Sequence, residues 1–128
     1  MKHAFCIFAV VAASLSGGCG SFVPVVKMDK VSPEERQAAQ AMQIYLEPQL
    51  VGKNFRVVGV VEGNSCKNKM WDASSTRTAA IEQLKYFAMK AGANGITNIE
   101  CGQREETSLN TNCWELLSCT ANAIQISP

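Results

Sequence analysis

The placing of six cysteines constrains this chain more than any other feature. Cys6 lies inside a short apolar run, Phe5 to Leu15, which follows Met1, Lys2 and His3 and ends in Ser16, Gly17 and Gly18. That run is too short to span a bilayer as a helix, and its charged head, apolar centre and small-residue end are those of an export signal. It is an address rather than a domain. Cys19 follows at once, and Cys66, Cys101, Cys113 and Cys119 lie beyond it, in a chain that leaves the cytoplasm for a compartment where thiols oxidise. The four beyond Cys19, an even number, predict two disulfides. The spacings of 35, 12 and 6 residues lack the Cys-x-x-Cys knuckles that present paired thiolates to zinc, so a four-cysteine metal site is the weaker reading. No two thiols sit close together near a helix start, as thioredoxin-like redox chemistry requires.

The leader resembles the signals of bacterial lipoproteins. That resemblance implies cleavage before Cys19 and acylation of this residue on its sulfur and its amino group, leaving the protein hung from a membrane by lipid. Ser16 stands three residues before the cysteine, where Leu is usual, and Leu15 stands four before. The competing reading is an ordinary signal peptidase cutting near Ser14 to Ser16 and releasing a soluble periplasmic protein. Gly20 occupies the position where Asp specifies inner-membrane retention, so the resemblance points to the outer membrane. The expected organisation is a lipoprotein signal peptide over 1–18, a lipidated N-terminus and tether over 19–43, and a periplasmic domain over 44–128.

Removing residues 1–18 from the 128 leaves 110, enough for one small core and a tether. With 12 basic and 11 acidic residues, and Lys2 lost with the signal, the remainder is balanced and carries no electrostatic case for nucleic acid. The one histidine, His3, leaves with the signal, which removes imidazole from general-base work and metal ligation. The remaining serines lie singly, without a base or a nucleophile-elbow pattern. Adjacent acids occur at Glu34 with Glu35 and Glu105 with Glu106; the first pair complements a helix start and the second lies in a polar loop, so both read as solvated. Neither an enzyme nor a bound cofactor is expected.

Within the tether, Ser32, Pro33, Glu34 and Glu35 spell a helix start, and a short spacer helix to about Met42 follows. A first strand, Phe55 to Glu62, is rich in β-branched residues and is ended by Gly63, Asn64 and Ser65. After a loop holding Cys66 and Trp71, an amphipathic helix runs from about Ser75 to Ala91. It has Ala80, Ile81, Leu84, Phe87, Ala88 and Ala91 on one side, Asp72, Ser74 and Ser75 as N-cap candidates, and Gly92 as the left-handed cap. Two strands, Gly95 to Cys101 and about Leu117 to Ile126, pair antiparallel. Placing Cys101 opposite Cys119 sets Ile99 against Ala121 and Thr97 against Ala123, small residues facing large ones. This register favours a Cys101–Cys119 bridge and leaves Cys66 for Cys113, one of three connectivities that four cysteines permit. The fold class is α+β: a small disulfide-stapled domain with a three- to four-stranded, mainly antiparallel sheet packed by one main helix, in the order strand-helix-strand-strand.

The stretch Ile44, Tyr45, Leu50, Val51, Gly52, Lys53, Phe55, Arg56, Gly59, Val61, Gly63, Ser65, Cys66, followed by Ala93, Asn94, Ile96, Cys101, Cys113, Cys119, Ala121 and Ile124, resembles the RcsF family of outer-membrane lipoproteins. The resemblance implies disulfides Cys66–Cys113 and Cys101–Cys119. It implies an envelope-stress sensor, assembled with outer-membrane β-barrel proteins by the barrel-assembly machinery, whose periplasmic domain contacts an inner-membrane regulator on damage and so activates the Rcs phosphorelay. The alternative is a structural or assembly lipoprotein that binds barrel proteins without signalling. The tether departs from the family's longer, proline-rich, basic linker, holding only Pro24 and Pro33. For partner contact the sequence offers Trp71, Trp114, Tyr86 and Arg56, against the commoner fate of aromatics packed over the disulfides and the helix.

Overall fold

A computed structural model describes residues 23–104 and 113–128. After a 3-10 turn at Met28–Lys30, the elements run α1 (Pro33–Gln40), β1 (Gln43–Tyr45), α2 (Glu47–Leu50), β2 (Phe55–Lys67), α3 (Arg77–Lys90), β3 (Gly95–Arg104) and β4 (Glu115–Ile126). The four strands form one sheet in the order β1-β3-β4-β2. β4 is central and antiparallel to both β2 and β3, while the short β1 adds to β3 in parallel, Ile44 beside Ile96. The fold is thus α+β, a mixed sheet packed by one main helix.

β2 runs past the Gly63, Asn64 and Ser65 that read as its end, and it carries Cys66 within the strand. The reason is that β4 pairs it throughout: Gly63 lies beside Cys119, Asn64 beside Ser118 and Lys67 beside Glu115. A continuous ladder outweighs the turn preference of Gly, Asn and Ser. Gly63 is needed where it stands, because a Cβ there would lie 2.2 Å from the Ala80 carbonyl oxygen and 2.3 Å from the Leu84 nitrogen, so glycine lets α3 settle onto the strand. The helix begins later than expected. Thr76 is its N-cap, its hydroxyl accepting from the Ala79 N–H at 3.2 Å, while Ser75 turns away to donate to Glu115. Gly92 follows the C-cap at φ 81°.

The register of β3 on β4 also differs from the expected one. Cys101 does face Cys119, but Thr97 faces Asn122 rather than Ala123, because Asn98 and Ile99 together stand against Ala121. This bulge carries Asn98 into the left-handed region at φ 56°, a conformation that asparagine tolerates better than most residues. The core lies between α3 and the sheet. Ala80, Leu84, Ala88, Ile96, Cys119, Ala121 and Ala123 fill it, with Met42 closing one side.

The packed unit starts well before residue 44, which corrects the reading of residues 20–43 as a tether. Val23, Val31, Ala39 and Met42 are all buried, and α1 packs against α3. Ser32 caps α1 through its hydroxyl, which accepts from the Glu35 N–H at 3.2 Å.

Candidate functional site

The two disulfides interleave along the chain, Cys66 with Cys113 and Cys101 with Cys119. The second joins directly opposed residues of β3 and β4, with Cα atoms 4.0 Å apart and Cys119 fully buried in the core. The first ties the end of β2 to the residue just before Trp114 and β4, across a Cα separation of 5.3 Å. Around it lies a second, smaller cluster, in which Val23, Cys113 and Leu116 pack with Cys66 beside them.

The chain's own N-terminal segment is fastened over this cluster and along α3 by polar groups that sequence reading passed over. The Asn64 side-chain amide donates to the Pro24 carbonyl at 3.3 Å, and its oxygen accepts from the Ser118 hydroxyl at 2.6 Å. Asn64 is fully buried, so both bonds replace water that it cannot reach. Gln83 holds Val26 reciprocally: its oxygen accepts from the Val26 N–H at 2.8 Å, and its amide donates back to the Val26 carbonyl. Farther along, the Lys90 ammonium donates to the Glu35 carboxylate at 2.8 Å. That hydrogen bond first, then the charges of Glu35 and Tyr86, hold the Lys90 pKa above its usual value. The available signal was Gln83 itself, a polar residue one position from Leu84 on the face that also carries Ala80.

The two tryptophan candidates occupy one corner of the molecule. Trp71 is 81% and Trp114 71% exposed, with Met70 beside Trp71 at 75%, so neither tryptophan packs over the helix. The turn Lys69–Asp72 that carries Met70 and Trp71 is built, not loose: the Asp72 N–H donates to the Lys69 carbonyl, and the Asp72 carboxylate accepts from the Asn68 and Lys69 N–H groups at 3.1 and 2.8 Å. The Lys69 ammonium lies 5.7 Å from the Trp71 ring centroid. Trp114 is drawn to the same corner, its N–H donating to the Lys67 carbonyl at 2.7 Å. Arg56, exposed and paired with Gln125, lies at the opposite end of β2, about 36 Å away at ~3.3 Å per residue, so the structure does not bring it near the tryptophans. Tyr86 is half-buried, edge-on to Phe87. Cys19, Glu105 and Glu106 lie outside the described residues.

The concave features are shallow surface grooves. One of about 300 Å³ lies between α1 and α3, lined by Ala39, Thr78 and Ile81. Another of about 400 Å³ runs beside Leu50, Phe55, Val57 and Thr97. A third of about 540 Å³ lies beside Tyr45, Pro48 and Arg77. Among the described residues, no three His, Cys, Asp or Glu side chains gather as a metal would need.

These features define a class: a small α+β domain cross-linked by two interleaved disulfides and closed by its own N-terminal segment. The chain belongs to the RcsF lipoprotein family, whose family model matches residues 21–127. It is similar to the outer membrane lipoprotein RcsF of Escherichia coli strain K12, with 28% identity over 107 residues, which is 84% of this chain and 78% of that protein. The same figures hold for the protein of that name from Escherichia coli O6:H1. The chain is accordingly an outer-membrane lipoprotein of the Rcs system.

Proposed function

We propose that this chain senses damage to the cell envelope and activates the Rcs phosphorelay, its periplasmic domain contacting an inner-membrane regulator after assembly with outer-membrane β-barrel proteins by the barrel-assembly machinery. Cys19 is the lipidated residue in this reading, and the role involves no catalysis. The observation that carries it is the family match over residues 21–127, which takes in all four cysteines of the cross-linked domain. A lipid anchor, a segment that can lie on the domain and a rigid domain make a switch by changing where a binding surface can reach.

Reach is the quantity that matters. With the N-terminal segment docked from Val23 onward, four residues separate the domain from Cys19 and extend at most ~14 Å. A segment detached as far as Met42 would extend up to ~80 Å. Inserting a flexible stretch after Gly20 preserves or raises signalling if reach is limiting, and a drop in signalling sinks that idea. The function itself is tested by in-cell crosslinking of the lipidated protein before and after envelope damage, with captured partners identified by mass spectrometry. A barrel protein at rest and an inner-membrane regulator after damage is the expected catch. Barrel proteins alone, unchanged by damage, would leave a structural lipoprotein without a signalling role.

A further inference from the structure

We propose that the corner formed by Trp71, Trp114 and Met70 is a membrane-docking surface, seated in the headgroup layer of the phospholipid leaflet that holds the anchor. The proposal rests on the reading that Cys19 is lipidated.

Three observations carry it. The first is where the chain leaves the domain. Val23 is buried in the small cluster with Cys113 and Leu116, and Cys113 is the immediate sequence neighbour of Trp114; Cys19 lies four residues before Val23. An extended chain of that length spans at most ~14 Å, so an acylated Cys19 cannot lie far from this corner. The polar layer of a bilayer is only ~5–8 Å deep on each side, which places the corner within reach of the lipid surface without any movement of the docked segment.

The second is how the side chains are presented. Met70 and Trp71 stand at the tip of a turn pinned by the Asp72 carboxylate, and Trp114 is held by the Lys67 carbonyl and the adjacent Cys113 bridge. Large apolar side chains that remain 71–81% exposed on a fixed backbone are displayed, not stranded by a loose loop. None of the three lines a groove described above.

The third is chemistry. Indole has an apolar body and one N–H donor, the combination that settles at the boundary between acyl chains and headgroups. Lys67 and Lys69 lie on the same corner and complement lipid phosphates. The other exposed apolar residues of β2, Phe55 and Val57 among them, lie toward its far end, remote from the anchor.

The test uses the fact that the chain contains two tryptophans, both on this corner. The full lipidated protein is reconstituted into vesicles of phosphatidylethanolamine and phosphatidylglycerol whose acyl chains are brominated, and its fluorescence is compared with that in unbrominated vesicles. The expected result is a blue-shifted emission, most of it quenched by bromine and shielded from aqueous acrylamide, with Trp71→Phe and Trp114→Phe each keeping part of the quenching. Lys69→Glu is expected to reduce the quenching. A protein that floats with the vesicles while its emission stays unquenched and open to acrylamide overturns the docking surface and leaves the anchor intact. Emission shielded from acrylamide but unquenched by bromine also overturns it, and points to cover by protein. A protein that fails to float removes the anchor and the docking surface with it.

Discussion

Adding a single methyl group at Gly63 is the severest small change this fold can be asked to absorb. The new Cβ would sit 2.2 Å from the Ala80 oxygen, 2.3 Å from the Leu84 nitrogen and 2.8 Å from the Leu84 Cα. All three are backbone atoms of α3, so no rotamer change relieves the contact. Ordinary contact at 3.4 Å or more requires the helix to retreat by about 1 Å. Ala80, Leu84 and Ala88 are each 0% exposed, and a gap of that size forfeits about a quarter to a half of the dispersion attraction along the face they share with the sheet. Overpacking costs about 1–3 kcal/mol, and a clash that only backbone movement can relieve belongs at the upper end, ~3 kcal/mol. Replacing glycine also restricts the unfolded chain, which returns ~0.4–1 kcal/mol, so the net loss for Gly63→Ala is ~2–3 kcal/mol. Gly59→Ala is the control: the same strand, the same chemical change, and no atom within 4 Å of the new Cβ. It is expected to be neutral or stabilising by up to ~1 kcal/mol. Urea unfolding followed by far-ultraviolet circular dichroism, with disulfides intact, reads the difference. At a slope of ~1–3 kcal/mol/M, the Gly63→Ala midpoint should fall below the Gly59→Ala midpoint by ~0.7 M or more. Coincident midpoints would refute the close approach of α3 to β2.

Three other perturbations follow from the same structure. Gln83→Ala removes both bonds to Val26 and should cost ~1–2 kcal/mol; hydrogen exchange should quicken at Val26 and not at Ile96, and unchanged protection at Val26 would show that the segment is held by other contacts. Thr97 is 4% exposed and its hydroxyl has no partner among the described residues, so Thr97→Val should raise stability by ~1 kcal/mol, read as a higher Tm; a lower Tm would mean that the hydroxyl is satisfied. The bridges close sequence separations of 47 and 18 residues, for which the chain-entropy model gives ~4 and ~3 kcal/mol. Removing Cys66–Cys113 should also quicken exchange around Leu116, beside which Val23 packs, whereas removing Cys101–Cys119 should act on the main core; the same exchange pattern in both variants would refute that division.

What the sequence made legible was what local pattern controls. The long helix, the central strand pairing and the facing of Cys101 with Cys119 follow from apolar period, β-branched runs and one pair of opposed cysteines. The rest depended on tertiary partners. Gly63, Asn64 and Ser65 carry turn chemistry, yet they continue β2 because β4 is long enough to pair them. Asn98 and Ile99 stand against one residue instead of two, and no period-two register anticipates such a bulge. The N-terminal segment is the largest gap. The apolar residues of its helix are mostly alanine, and what docks the segment is burial of Val23, Val31, Ala39 and Met42 together with hydrogen bonds from Asn64 and Gln83, residues more than 35 positions from the backbone they hold. A reading that weighs only local amphipathicity sees a spacer there, because the partners that decide the matter lie on other elements.

The path of that segment gives the domain a polarity that bears on signalling. Val23, where the docked segment begins, packs beside the Cys66–Cys113 bridge at the end of the long β2–β4 pair that adjoins Trp114, while Arg56, Phe55 and Ile126 lie together at the other end. In the proposed seating at the tryptophan corner, the Arg56 end can stand up to ~36 Å from the membrane, the length of the strand between them at ~3.3 Å per residue. Among the described residues β2 is the last strand of the sheet, so that end also carries an unpaired strand edge, with Val57 and Val51 exposed beside it. Free strand edges accept added strands, and apolar neighbours strengthen such pairing. On the proposed reading, regulator contact at the Arg56 end and lipid contact at the tryptophan corner are separated along one strand pair, so charge reversal at Arg56 should weaken regulator capture in the crosslinking experiment and leave bromine quenching of the tryptophans unchanged. Loss of both together would show that the two ends do not act independently.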